Sequence, residues 1–160
     1  MSKKILIPVV IIAVIALVIV GVVILKPAKE KNIEGTLEEI MAKVYAGIPE
    51  DELPMMLTNM EVESTDIEYY VGTADINCKE VLVSESGVGS IAHSVVLVRL
   101  NDAKDADETV TKIKENANPR KWLCVEASNV AVKSKGDLVI LIMSNEDLAP
   151  RLETNFEGLE

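Results

Sequence analysis

Residues 5–25 form a run of twenty-one residues without a single charge, dominated by Val, Ile and Leu. As a helix rising about 1.5 Å per residue it is about 30 Å long, the thickness of a bilayer's hydrocarbon core. Val and Ile favour strands in water, but in lipid a lone strand leaves its amides unpaired, so helix is the form available. Pro8 falls in the first turn, where a missing N–H costs little. The run exceeds the roughly 7–15 apolar residues of a cleavable signal, and Ile24-Leu25-Lys26-Pro27 offers no small-residue cleavage site. The sequence therefore predicts an uncleaved signal anchor over residues 1–26, a polar stalk over 27–35 and one domain over 36–160.

Orientation rests on a near balance. Lys3 and Lys4 precede the run, and Lys26, Lys29 and Lys31 follow it. The four-residue lead favours a cytoplasmic N-terminus and a C-terminal domain outside the cell. All 26 acidic residues follow residue 26, against 13 of the basic ones, so the domain side carries −13. That charge is repelled by anionic lipid headgroups. It also lacks the basic footprint a nucleic-acid binder needs. One histidine and two cysteines exclude a multi-histidine or four-thiolate metal site. The expectation is no metal, no cofactor and no catalysis.

The domain reads as α+β. Thr36-x-x-Glu39 is a capping-box pattern, followed by an apolar face at Leu37, Ile40, Met41, Val44 and Ile48, with Gly47 and Pro49 as stops. Residues 50–63 read as a helical turn and loop, and residues 67–71 as a short strand. Two strand–turn–strand–helix units follow. The first pairs residues 81–86 with 93–100 and continues into a helix bearing Ala106, Val110 and Ile113. The second pairs residues 129–133 with 138–143 and continues into a helix bearing Leu148, Leu152 and Phe156, opened by Ser144-x-x-Asp147. The continuously apolar segments 95–98 and 138–143 suit central strands covered on both faces. Two such ββα units predict a four- to five-stranded, mainly antiparallel sheet. Helices on one face leave the other to the first helix, a second copy or a partner.

Four groups are candidate sites. The loop over residues 84–93 brings Ser86 and Ser90 near His93 in sequence. This is the makings of a Ser–His hydrolase, although a group to orient the imidazole (Glu126, Asp75 or Glu80) is not specified by spacing. The weightier reading is a hairpin loop whose glycines permit tight turning, with His93 half-exposed. Cys78 and Cys124 are a disulfide candidate in an oxidising compartment, Cys124 otherwise being a buried thiol. Met55, Met56 and Met60 are thioethers able to hold Cu(I), but read better as core filling. Arg120, Lys121 and Trp122 form a basic-aromatic patch suited to a partner, weighed against a Trp122 that serves the core.

The segments 84–90, 101–107 and 130–144, above all the Lys133-Ser-Lys-Gly-Asp137 hairpin, resemble a domain-of-unknown-function family. Its members are membrane-anchored or lipoprotein extracytoplasmic proteins of clostridial Gram-positive bacteria, and the likeness covers roughly residues 67–157. It implies fold and location and carries no activity or functional residue. The resulting expectation is a single-pass protein held in the bilayer by residues 5–25. Its domain binds or assembles with an envelope protein or a second copy, and a tethered hydrolase at the 84–93 loop is the alternative.

Overall fold

The computed structural model describes residues 31–63 and 65–160. The anchor over residues 1–26 and the start of the stalk lie outside the described residues. Among the described residues, no helix is long and apolar enough to cross a membrane.

The domain is α+β, with five strands in one antiparallel sheet and four α-helices. Helix α1 (Leu37–Val44) is opened by the predicted capping box: the Thr36 hydroxyl accepts from the Glu39 amide and the Glu39 carboxylate from the Thr36 amide. Strand β1 (Leu57–Glu61), helix α2 (Ile67–Val71), strands β2 (Cys78–Ser86) and β3 (Ser94–Leu100), and helix α3 (Ala106–Asn116) follow. Strands β4 (Asn129–Lys135) and β5 (Leu138–Ser144) and helix α4 (Ala149–Glu157) complete the chain. The strand order is β1-β2-β3-β5-β4. Both expected ββα units are present, β2-β3-α3 and β4-β5-α4.

Three local readings change. Residues 57–61 are a strand, because Met56 and Leu57 are drawn against the end of β2: Gly87 N–H donates to the Met56 carbonyl and Leu57 pairs with Ser86. Residues 67–71 are a helix rather than a strand. Ile67 and Val71, one helical turn apart, are the buried pair, and Gly72 caps the end at φ +85°. A Cβ on Gly72 would stand 2.0 Å from the Asn116 carbonyl oxygen, so only glycine lets α2 meet the end of α3. Finally, Ser144 does not open α4; Asn145 instead closes the turn that leads into it, its side-chain oxygen accepting from the Asp147 and Leu148 amides.

The helices do not share one face. β3 and β5 are buried along their whole length. Alternation sends Val95, Leu97, Leu138, Ile140 and Ile142 to a core with α1 and α4. It sends Val96, Val98, Val139, Leu141 and Met143 to a second core with α2 and α3. The two ββα units thus cover opposite faces, and α1 and α2 complete the layers. The central strands β3 and β5 are covered on both faces, while edge strand β1 is largely exposed.

The ends of the sheet differ. The foot carries the end of β3, the β4–β5 turn and residues 31–35. Half of the expected stalk is docked here: Ile33 is buried, and Arg99 donates to the Ile33 and Gly35 carbonyls at 2.9 and 2.7 Å. The tip carries the β2–β3 loop, residues 53–56, the α3–β4 loop and the β5–α4 connection.

Candidate functional site

His93 begins at the tip but points into the α1/α4 layer and is 1% exposed. Its Nε2 lies 2.8 Å from the Tyr45 hydroxyl and its Nδ1 2.8 Å from Ser144 Oγ. A neutral imidazole donates at one nitrogen and accepts at the other, and hydroxyls on both sides suit either tautomer. Burial pushes the imidazole pKa down to about 4 and raises that of the Tyr45 hydroxyl. Ser84 approaches Tyr45 closely enough to oppose the latter shift, without full hydrogen-bond geometry. The half-exposed histidine expected from the sequence is thus a sealed polar pair of contacts between helix and sheet.

The serines of the hydrolase reading lie elsewhere. Ser86 Oγ donates to the Met55 carbonyl and accepts from the Val88 amide, while Ser90 is exposed. Both His93 nitrogens are occupied by Tyr45 and Ser144 instead. Ser144 is itself 1% exposed, so a substrate has no path to it as folded.

The cysteines are both free, and the pairing expectation is corrected by position. Cys78 pairs with Leu100 at the foot. Cys124 follows Leu123, whose amide donates to the Gly89 carbonyl at the tip. The length of β2 separates them, whereas a disulfide needs Cα atoms within about 7 Å. Cys124, read from the sequence as a buried thiol, is exposed, and Cys78 is half-buried. Among the described residues, no three His, Cys, Asp or Glu side chains converge as a metal site.

The 120–122 segment lies in the α3–β4 loop and is built differently from a basic patch. Lys121 turns inward, its side chain 3% exposed and ion-paired with Glu85. Its Nζ donates to Ser94 Oγ at 3.2 Å. It also stands 5.2, 4.9 and 5.3 Å from the ring centroids of Tyr69, Tyr70 and Trp122. Burial lowers its pKa, and Glu85 opposes the shift. Arg120 faces outward but is ion-paired with Glu126. Trp122 is half-buried, and Phe156 is the fully buried large aromatic. The cluster is therefore an aromatic cage whose cation is the chain's own lysine, and it fixes the loop to the sheet.

What this scaffold holds outward is apolar. Leu123 is 77% exposed, Met55 70% and Met56 69%. The methionines expected in the core, Met60 included, are thus at the surface. Met56 and Cys124 adopt left-handed backbone at φ 54° and 61°, which costs a non-glycine residue about 1 kcal/mol or more. The bonds of Ser86 and Gly87 to residues 55 and 56, and of Leu123 to Gly89, tie these segments to the β2–β3 loop. Beside Trp122 a shallow cleft of about 450 Å³ is lined by Arg120, Trp122, Cys124, Val125 and Glu126. Sequence reasoning found the neighbours of this surface and missed Leu123, because nothing in a loop's composition tells which apolar side chain points out.

No family model, curated protein or solved structure matches the chain. The site's chemistry therefore rests on its own geometry.

Proposed function

We propose that the protein is a membrane-anchored, non-catalytic recognition domain outside the cell, which engages an envelope protein through the tip of its sheet. The observation that carries this is the exposure of Met55, Met56 and Leu123 on segments hydrogen-bonded into one surface. Monomeric proteins rarely hold several large apolar side chains out together without a use for them. Both faces of the central strands are covered by the chain's own helices, and the one histidine is sealed. The uncharged run at 5–25 and the −13 charge beyond it support the location.

One experiment tests location and recognition together. A photo-crosslinking residue is placed at position 123, or at exposed Glu115 on the outer side of α3, in a chain tagged after Glu160. Protease on intact protoplasts is expected to remove the tag. Irradiation is expected to give a discrete adduct from position 123 and none from 115. A protected tag would overturn the location, and equal, diffuse labelling from both positions would overturn recognition at the tip.

A further inference from the structure

The charges around the tip define the chemistry of what docks there, given the reading of the tip as a recognition surface. The basic side chains carried by the tip's own loops and by the start of α4 are each committed to an acid. Arg120 pairs with Glu126, Lys121 with Glu85, and Arg151 at the start of α4 with Glu52. The Arg151–Glu52 pair draws residues 50–52 to the β5–α4 connection. On residues 50–51 and the β5–α4 connection, four exposed acids have no ion pair among the described residues. Glu50 and Asp51 lie just before Met55, and Glu146 and Asp147 lie on that connection. The tip is an apolar centre flanked by acids that no cation of its own loops offsets.

We infer that the tip takes a protein segment that is apolar at its centre and Lys/Arg-rich at its margins, such as one face of a basic amphipathic helix. Apolar contact at Leu123, Met55 and Met56 supplies the desolvated centre, and flexible methionines adapt to the segment's shape. The acidic rim selects the partner's charge and steers its approach. The same rim repels an anionic lipid surface and a second copy of this acidic chain.

Trp122 is the chain's single tryptophan and adjoins Leu123, so its fluorescence reports occupancy. The full chain is placed in phosphatidylcholine vesicles. It is titrated with an 18-residue peptide of Leu and Lys patterned as an amphipathic helix, with its Leu/Glu counterpart, and with separate phosphatidylglycerol vesicles. The expected result is a saturable blue shift with the Leu/Lys peptide alone. Apparent affinity is expected to fall at least tenfold in Leu123→Ser, and severalfold in Glu146→Gln/Asp147→Asn or at raised salt. Equal binding of the Leu/Glu peptide would overturn the charge assignment, and a shift with the anionic vesicles would make the tip a membrane contact. No shift with any probe would also overturn the inference. A retained crosslink from position 123 would then leave recognition standing, and loss of both would remove the two together.

Discussion

At the foot of the sheet one guanidinium holds four acceptors and is nearly removed from water. At the tip three large apolar side chains stand in it. Arg99 reaches Glu80 at 2.7 Å, Asp137 at 3.3 Å and two backbone carbonyls of the incoming chain, and is 9% exposed. The tip also contains a buried cation, Lys121, but uses it to tie a loop down while Leu123 beside it points out. The difference teaches where to look for function. Charge at the foot is consumed in closing the fold, whereas at the tip the internal ion pair and cage hold apolar surface in place against water.

The largest expected effect tests whether the foot is built for stability. Arg99→Met leaves Asp137, whose side chain is 8% exposed, with a buried charge and no cation. It also strips a donor from the Ile33 and Gly35 carbonyls. Breaking such a network by removing one member costs about 3–5 kcal/mol. Urea unfolding followed by Trp122 fluorescence reads the loss. A change below about 1 kcal/mol would mean the foot is a loose junction and the contrast between the ends is wrong.

The next effect sharpens the comparison by pH. His93 lies below the tip surface and is held neutral, with a folded pKa of about 4 against an ordinary value of 6.5. As pH falls through 6.5 the unfolded chain takes up the proton first, so stability is complete above that value and declines toward pH 4. The full decline is about 3 kcal/mol. Thermal unfolding of the wild type and of His93→Gln across pH 7 to 4.5 checks this. The variant starts less stable, because Tyr45 and Ser144 lose a matched partner, but its pH slope is shallower. Parallel slopes would show that the imidazole is hydrated and that the interior beneath the tip is open.

Much of the scaffold was legible and the site was not, for one physical reason. Periodicity reports which residues want to be buried, and it located α1, α3, α4 and β2 to β5 because each of those elements turns at least one side chain into a core. It failed at residues 67–71, where five residues fit either period and the close approach at Gly72 decides for helix. It failed at 57–61, whose strand is exposed almost throughout and exists by edge pairing alone. The order of the ββα units was readable, but the face each helix takes depends on how the hairpins join across β3 and β5. At the site, Arg120, Lys121 and Trp122 were chosen for their types. Which of them turns inward depends on Glu85, Ser94, Tyr69 and Tyr70, residues that are remote in sequence.

The smallest effect on stability is expected where function is expected to suffer most. Leu123 is 77% exposed, so Leu123→Ser removes little buried area and lies within about 0.5 kcal/mol of wild type, as do most substitutions on open surface. A loss of 2 kcal/mol or more by urea unfolding would show that Leu123 packs in solution. The tip would then be a closed end like the foot. An unchanged midpoint together with a lost crosslink or peptide shift separates folding from recognition, because surface that does not stabilise the free chain has its apolar area left to bury against another.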